Sequence, residues 1–509
     1  MDTSTGQMIA ALVPDSDLSR VAVLGFLLLL VMAAAEFVRK SHPSRQEVTR
    51  KLVHMATGML VAAGCLVLQS KWPLAAISLF FVGFNILALR YGWLSGMHDT
   101  LRPTLGTVFY PSAFLVLLLW LWDDYRGVII IAMLIMAVGD AAAALVGRRM
   151  RRPQVYRLGA EAKTLQGSIT MFLASLAIAL FGLCFLLSLP HSCWRLALMA
   201  VAAALVATAC ESLSFSGSDN LTVPLGSAFV LHYLISHSAL QADGFLLGVG
   251  LSLLLAWVSV QLRFLTAGGA VTMFLLGVLI FGSGRWMFAL PILTFFILSS
   301  LLSGMGKKAK QRYSGLIEKS GSRDAAQVLA NGGVAGLILL IWHFNPAPVL
   351  FLLYGASVAA VTADTWATEL GLLSKSSPRS ILTFQPVPPG TSGGLSWVGT
   401  LGAALGSLVL SSLSIGLAPA AVLSGRAGTA FLIMASAGFL ASLVDSLLGA
   451  TVQARFVCDR CGKATEKQVH CDGEATRLVG GARWMNNDVV NVLAALSGAL
   501  LAWLGASLV

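Results

Sequence analysis

The chain contains few charged residues. Asp, Glu, Lys and Arg make up 11% of its 509 residues, whereas a soluble globular domain carries about 25%. Acidic residues are the scarcer kind, with 23 Asp and Glu against 34 Lys and Arg. Long polar linkers and low-complexity segments are also missing. These absences exclude a soluble globular protein and a disordered scaffold.

The chain is instead rich in apolar residues. They make up 57% of the chain, and its mean hydropathy is +0.82. Apolar runs of about 20 residues, enough to cross a bilayer as helix, recur from end to end. The sequence therefore predicts an all-α polytopic membrane protein with about sixteen transmembrane helices in two halves of about eight. Residues 1–20 form a polar N-terminal tail, and residues 21–240 and 244–509 form two membrane domains.

The basic residues are distributed unevenly across the predicted membrane. Only six of the 34 Lys and Arg fall in predicted outer loops, namely Arg20, Lys71, Arg126, Arg195, Arg285 and Arg426. An excess of Lys and Arg marks the cytoplasmic side of a membrane protein. The positive net charge is therefore explained by topology rather than by nucleic-acid binding, and no nucleic-acid partner is expected.

Asp140 lies inside an apolar run, near the cytoplasmic end of the fifth predicted span. An aspartate at the centre of a span costs about 2.5–3.5 kcal/mol, so such residues are usually functional or paired. The alternative to a functional role is a structural pair with a neighbouring arginine. Glycine and alanine surround Asp140, which allows a ligand or another helix to approach closely. Arg148 and Arg149 follow and provide positive charge for phosphates.

A second cytoplasmic element has the composition of an anion site. Lys163 and Thr164 open the next helix, followed by Gly167 and Ser168. A lysine, hydroxyls and a glycine at a helix N-terminus favour phosphate binding through backbone N–H groups and the helix dipole. Further along, Asp219 and Asn220 add oxygen ligands. Carboxylates beside a phosphate site imply Mg²⁺, and we assign Asp140 and Asp219 to the metal.

The second half contains its own set of polar motifs. Asp364 and Glu369 lie five residues apart, and we expect them roughly on one side of a helix end. Lys375 follows. Asp445 is a further acid inside an apolar run, with a structural pair as the alternative to function. Asn487 and Asp488 start the last span, where they bind metal or cap the helix.

A rigid, glycine-rich turn precedes the fourteenth predicted span. The segment "VPPGTSGGLS" contains Gly390, Thr391, Ser392 and Gly393. It is interpreted as a second anion cradle, with a plain inter-helix loop as the alternative. The two halves thus share an order of motifs in the same direction across the membrane, which suggests two related sites.

Three cysteines and a histidine cluster in the last cytoplasmic loop. In "CDRCGKATEKQVHC", Cys458 and Cys461 have zinc-ligand spacing, and His470 and Cys471 complete four ligands. A disulfide is not expected in the cytoplasm. The alternatives are a structural zinc site and free thiols.

The motifs of the first half resemble the polyprenol kinases, which include dolichol kinase, phytol kinase and CTP-dependent diacylglycerol kinase. The matching pieces are "RKLVH", "GDAAAALVGRR", "KTLQGS", Glu211 and "SDNLTVPL", over roughly residues 45–240. The resemblance implies phosphoryl transfer from CTP, or UTP, to a lipid alcohol. Gln166 stands where that family usually has glutamate, and the usual glycine is missing at residues 150–152. His54 would orient a phosphate or accept the alcohol proton; otherwise it is a membrane-edge histidine.

The second half resembles the membrane family that includes phytyl-phosphate kinase. The matching pieces are "ADTWATELGLLSK", "VPPGTSGGLS", "VDSLLGATVQ" and "NNDVVN", over about residues 244–509. This resemblance implies phosphorylation of a lipid monophosphate to the diphosphate. The implied site residues are Asp364, Glu369, Lys375, Gly390, Thr391, Ser392, Gly393, Asp445, Asn487 and Asp488, with Mg²⁺ held by Asp364 and Asp488.

Together the two resemblances predict a bifunctional, CTP- and Mg²⁺-dependent isoprenoid-alcohol kinase. Its sites would face the cytoplasm from a bacterial inner membrane, a plasma membrane or an organelle membrane. A cytidylyltransferase acting on a lipid phosphate is the alternative enzyme. A transporter is the alternative from another class, although transporters usually carry inverted repeats and binding sites at the membrane midplane.

Overall fold

The computed structural model describes residues 16–41, 46–91, 105–159, 161–306, 321–423, 425–471 and 473–507. Most of the predicted N-terminal tail lies outside these ranges. The chain divides into two compact units, Met1–Leu246 and Leu247–Val509. The boundary predicted between residues 240 and 244 lies within a helix, which begins at Ala239.

Long helices form the first unit. In chain order they are α1 (Asp17–Ser41), α2 (Gln46–Val67), α3 (Trp72–Tyr91), α4 (Gly106–Leu134), α5 (Asp140–Arg149), α6 (Leu165–Phe181), α7 (Cys193–Ser212), α8 (Asp219–Ser236) and α9 (Ala239–Gln261), the last of which continues into the second unit. Two single π-helical turns, Ile135–Gly139 and Gly182–Leu186, interrupt this series.

The second unit is also built from long helices. They are α10 (Ala267–Gly304), α11 (Ala325–Phe344), α12 (Pro348–Gly371), α13 (Trp397–Leu417), the short α14 (Ala420–Leu423), α15 (Ala427–Thr451) and α16 (Asn487–Ser507). Their core is aromatic and aliphatic. Tyr354 of α12 is fully buried there and donates a hydrogen bond to the Phe288 carbonyl at 2.6 Å.

These helices confirm the predicted all-α polytopic membrane protein. Within the described ranges, thirteen helical segments are long and apolar enough to cross a bilayer. The difference from about sixteen has identifiable causes. The segment Gly106–Arg149 is continuous over 44 residues, about 66 Å of helix and twice the thickness of a bilayer core. Its backbone leaves helical geometry at Tyr125, so it consists of two helices, as the sequence predicts.

Two further predicted spans belong to helices that are shorter or less apolar. Ala267–Gly282, the first part of α10, is a shorter apolar helix. The helix α8 has only 18 residues and begins with Asp219 and Asn220, which lower its hydropathy.

Small antiparallel hairpins form in the loops that carry the predicted motifs. Strand β1 (Val155–Arg157) pairs with β2 (Ala162–Thr164), and β3 (Arg379–Ser380) pairs with β4 (Gly394–Leu395). After α15, β5 (Arg455–Val457) lies between β6 (Ala464–Thr465) and β9 (Arg477–Gly480), and β7 (Val469–His470) pairs with β8 (Glu474–Ala475). These hairpins hold loop residues at fixed positions beside the helix ends.

Candidate active sites

Asp140 pairs with a lysine from another helix. It begins α5, directly after the π-helical turn Ile135–Gly139, and its side chain is 10% exposed. The Nζ atom of Lys51, in α2, lies 2.5 Å from Asp140 Oδ2. π-helical turns inside helices are frequent at functional sites. The partner of Asp140 is therefore Lys51 of another helix and not a neighbouring arginine.

His54 approaches the same carboxylate. Its Nε2 atom lies 4.0 Å from Asp140 Oδ2, and its ring meets the Tyr110 ring edge-on at 5.2 Å between centroids. Lys51 and His54 are three residues apart in α2, so they share one helix face. His54, for which the sequence leaves a functional role and a membrane-edge position open, therefore lies beside the buried acid.

Lys163 forms the second cationic centre. It lies in β2 opposite Tyr156 of β1, and its Nζ atom is 2.8 Å from Glu211 Oε1 and 3.9 Å from Asp219 Oδ2. Burial alone would lower the pKa of Lys163, but Glu211 and Asp219 outweigh it, and the pKa is raised. Lys163 is therefore charged at neutral pH.

The two centres belong to one cluster. Asp219, at the start of α8, lies within electrostatic range of both Asp140 and Lys51. The structure thus brings together four predicted residues, Asp140, Lys163, Glu211 and Asp219, from three different helices and a hairpin. Glu161 Oε2 also lies 3.7 Å from Lys163 Nζ, so four carboxylates face the two ammonium groups of Lys51 and Lys163, and acids outnumber lysines in the cluster. Such a site can hold a phosphate on its lysines and a divalent cation on its acids.

At the predicted anion site at the start of α6, part of the backbone N–H groups already donate hydrogen bonds within the protein. Thr164 is the N-cap, and its Oγ1 accepts a hydrogen bond from the Gly167 N–H at 3.1 Å. The Leu165 N–H is bonded to the Gln154 carbonyl, and Ser168 bonds with Tyr156. Two of the amides expected to bind phosphate are therefore engaged.

The small residues around Asp140 serve helix packing. A Cβ atom on Gly147 would lie 2.5 Å from Thr164 Oγ1, and one on Gly167 would lie 3.2 Å from the Ala143 carbonyl. Both glycines thus allow α5 and α6 to approach closely, so these small residues admit a neighbouring helix.

Arg148 and Arg149 are exposed at the end of α5, about 12 Å along the helix from Asp140. Asn220 donates to the Gly217 carbonyl at 3.1 Å.

In the second unit, two acids from different helices meet. Asp364 of α12 and Asp445 of α15 share a side-chain hydrogen bond. Among the described residues, Asp445 Oδ2 is buried and has no hydrogen-bond partner. Two partly buried carboxyl groups that interact, one with a buried oxygen that has no hydrogen-bond partner, fit the donor set of a divalent cation.

A third acid, which the sequence motifs did not reveal, lies close to this pair. Glu466 follows β6, accepts a hydrogen bond from the Ser392 hydroxyl and another from Gln453 Nε2 at 2.9 Å. It lies within electrostatic range of Asp445. The predicted Ser392 is therefore part of the acid cluster.

The structure corrects the position of Glu369. Its carboxylate accepts a hydrogen bond from Ser303 of α10 and interacts with Arg323, whose pKa is lowered by burial and raised in part by this acid. Asp364 contacts Asp445 instead. Five residues turn a helix by about 140° relative to the starting position, so the two acids do not share a side of α12.

The loop that contains Gly390 and Gly393 packs against α15 directly after Asp445. Gly393 has φ +77°, and a Cβ atom there would lie 2.6 Å from the Ser446 carbonyl and 2.5 Å from Ala450 Cβ. The Thr391 N–H is bonded within the loop, which reduces its capacity as an anion cradle. Beside the loop is a cavity of about 270 Å³ whose lining includes Thr391, Ser392, Gly393 and Arg455.

The remaining predicted residues of the second unit are more dispersed. Lys375 is exposed in the loop after α12. Asp488 is buried in the first turn of α16, and Asn487 is partly buried beside it. The helix cap is supplied by Asn486, whose Oδ1 accepts from the Val489 N–H at 3.1 Å.

The cysteine-rich loop brings its four predicted ligands together. The ligand atoms of Cys458, Cys461, His470 and Cys471 all lie within 4.8 Å of one another. All four therefore face one point, as a metal site requires.

Lys51 and Glu466 are two site residues that the sequence motifs did not reveal. Lys51 is in "RKLVH", and its position three residues before His54 is a usable signal because both fall on one helix face. Glu466 has no local signal, since its role depends on a hairpin that folds back onto another helix.

Comparison with known proteins places the second unit in a family. The family profile described as "Integral membrane protein DUF92" matches residues 250–499. Protein PGR of Arabidopsis thaliana is 32% identical over 265 residues, which cover 48% of this chain and 90% of that protein.

Other relatives carry an enzyme name. A phytol kinase of Synechocystis sp. is 32% identical over 201 residues, which cover 39% of this chain and 84% of that protein. Phytol kinase 1, chloroplastic, of Arabidopsis thaliana is 30% identical over 228 residues, covering 41% of this chain and 72% of that protein. No solved structure matches the chain.

Proposed function

The chain belongs to the integral membrane protein family DUF92, and from this premise we propose that it is a membrane-bound kinase of isoprenoid alcohols. The first unit phosphorylates phytol or a related prenol to the monophosphate. The second unit converts the monophosphate to the diphosphate. CTP is the phosphate donor, with UTP as the alternative.

One observation carries the proposal for the first unit. Lys51 and Lys163 point into one buried cluster with Asp140 and Asp219. Phosphoryl transfer depends mainly on positioning and on neutralising phosphate charge. The two ammonium groups hold the phosphates of the donor, and His54, adjacent to Asp140, accepts the alcohol proton. The phytol kinase relatives support this assignment.

The cluster in the second unit is built from acids. Asp364, Asp445 and Glu466 bring three acids together. A prenyl monophosphate and a nucleotide are both anionic, so acids alone would repel them. We propose that Asp364 and Asp445 hold Mg²⁺, and that Arg455 at the adjoining cavity attracts the phosphate. Bound Mg²⁺ supplies neutralisation of the transferring phosphoryl group.

The first cluster also suits Mg²⁺, but less directly. Asp140 and Glu211 each contact a lysine ammonium, so a cation must share these acids with the lysines. Asp219 lies farther from Lys163. We propose that Asp219, which has the longest lysine contact, and Asp140 hold the metal, and that Lys51 and Lys163 bind phosphate.

Product analysis tests the two-step proposal. The purified chain in detergent is incubated with Mg²⁺, phytol and γ-labelled CTP, UTP or ATP. Asp140→Asn is expected to make diphosphate only from added monophosphate, and Asp364→Asn to stop at monophosphate. Asp123→Asn is the control, because its carboxylate pairs with Lys71 but is 71% exposed.

Three outcomes contradict the proposal in distinguishable ways. If no label reaches any prenol with any nucleotide, the kinase assignment fails. Label transferred from α-labelled CTP to a lipid phosphate, with release of pyrophosphate, indicates the cytidylyltransferase. If one variant abolishes both steps while Asp123→Asn retains both, the assignment of one step to each unit fails.

A further inference from the structure

The cysteine-rich loop after α15 has the form of a clamp around Glu466. One arm, β5 and β6, carries Cys458 and Cys461, and the other arm, β7 and β8, carries His470 and Cys471. Glu466 lies between the arms, five residues after Cys461 and four before His470. Any group that joins the two arms therefore closes a short loop around this acid.

Two distances within the cluster are close to those of tetrahedral zinc. Zn–S bonds of about 2.3 Å and Zn–N bonds of about 2.0 Å place sulfur and nitrogen ligands about 3.6 Å apart. His470 Nδ1 lies 3.5 Å from Cys461 Sγ and 3.1 Å from Cys471 Sγ. The Cys461 sulfur also accepts a hydrogen bond from the Lys463 backbone, the kind of contact that orients metal ligands.

The backbone is bent so that adjacent residues can serve as ligands. Successive side chains of a strand point to opposite faces, which would separate His470 from Cys471. Cys471 instead has φ +41°, a left-handed conformation that is unfavourable for a residue with a side chain. The bend turns both side chains toward Cys461, and a ligand bridging them explains why the strained conformation persists.

We propose that Cys458, Cys461, His470 and Cys471 bind one structural Zn²⁺, and that this ion fixes the loop that holds Glu466 against Ser392 and Gln453. Three sulfurs and one nitrogen in a closed tetrahedral set favour zinc among the common metals. No position is left open for a substrate. Glu466 then acts as a positioning residue, because it holds the Ser392 hydroxyl by a hydrogen bond and lies within electrostatic range of Asp445.

Metal analysis tests the site without reference to enzymatic activity. The full chain is purified from zinc-supplemented cells, and its metals are quantified by mass spectrometry. We expect about one Zn²⁺ per chain, lost in Cys461→Ser and His470→Gln and retained in Cys193→Ser, a cysteine of the first unit. Cobalt substitution should give the visible spectrum of tetrahedral thiolate-bound Co²⁺. Equal zinc content in wild type and Cys461→Ser, or a disulfide among the three cysteines, overturns the zinc site.

Hydrogen exchange then tests the clamp. Removing zinc with a chelator is expected to increase amide exchange in β5–β9, and Glu466→Gln is expected to retain zinc and protection. If exchange in this loop is unchanged after zinc is lost, the clamp is wrong. Where the proposed second phosphorylation is measurable, Cys461→Ser should lower it and leave the first step unchanged. Failure of both kinase steps in wild type would contradict the proposed function and leave the zinc result standing.

Discussion

Lys51 Nζ lies 2.5 Å from Asp140 Oδ2, and both side chains are about one-tenth exposed. Lys71 Nζ lies at the same distance from Asp123 Oδ2, but that carboxylate is 71% exposed. The two pairs have the same chemistry and differ in burial. Exposed ion pairs contribute little to stability, whereas breaking a buried pair leaves an uncompensated charge. The Lys51–Asp140 pair should therefore stabilise the fold in addition to its proposed role in catalysis.

Lys51→Met is expected to reduce both stability and the first phosphorylation. The unpaired Asp140 carboxylate should lower the free energy of unfolding by about 3 kcal/mol, and loss of a phosphate-holding charge should lower kcat by about 100-fold. Lys71→Met should cost less than about 1 kcal/mol. Denaturant unfolding in detergent micelles and product analysis measure the two effects.

The double variant Lys51→Met/Asp140→Leu separates the two roles. It removes both charges, so it should regain most of the stability and none of the activity. If the first phosphorylation returns with stability, the pair is structural only and the assignment of the first site fails.

The residues of the first site show what sequence can and cannot reveal. Asp140 and Lys163 stand out locally, one as an acid in an apolar run and the other as a lysine before a helix. Their pairing could not be predicted, because Lys51 is 89 residues from Asp140 in the chain and Glu211 comes from yet another helix. Periodicity predicts that helices exist but not which faces meet.

Errors in the second unit have equally specific causes. Glu369 was expected to face Asp364, but the helical repeat rotates it toward Ser303. That the glycine-rich loop binds anions stays a prediction, because only part of its backbone bonding is internal, although Gly393 packs on α15. The position of Glu466 could not be predicted from the sequence, because only the folded hairpin brings it to Ser392. Composition alone was sufficient for the fold class, because the bilayer leaves few structures available to such a chain.

Asp445→Asn is expected to abolish the second phosphorylation and to spare the first. Asparagine keeps a hydrogen bond to Asp364 but removes the charge that would hold Mg²⁺, so the second step should fall by about 100-fold or more. A Mg²⁺ titration of diphosphate formation, with prenyl monophosphate as substrate, measures this. Ser436→Ala, an exposed position on the same helix, is the control. Full activity in Asp445→Asn would mean that the two acids form only a structural hydrogen bond.

Gly393→Ala is expected to displace the loop from α15 and lower the second phosphorylation. The added Cβ atom would be strained by φ +77° and would collide with the Ser446 carbonyl. Gly425 is the matched control, because it has φ +74° and nothing within 4 Å of an added Cβ. Gly425→Ala should therefore show only the backbone cost of about 1–2 kcal/mol. Equal effects of both variants on diphosphate formation would show that loop packing does not matter.

Lys163 should contribute the same stability across the mildly alkaline range. Its pKa in the folded chain is raised above the ordinary value of 10.5, so its favourable interactions are fully present below that value and are lost only as pH rises through the folded pKa. Asp219, which faces Lys163, has a pKa raised to about 6 by burial and by Asp140, so its charge changes at the acid side of neutrality. The stability difference between wild type and Lys163→Met should therefore be constant only above that, from about pH 8 to about pH 9. Unfolding measured at several pH values, with Lys71→Met as reference, tests this. A difference that shrinks within that range would mean that Lys163 titrates there, and that Glu211 and Asp219 do not hold its proton as the geometry requires.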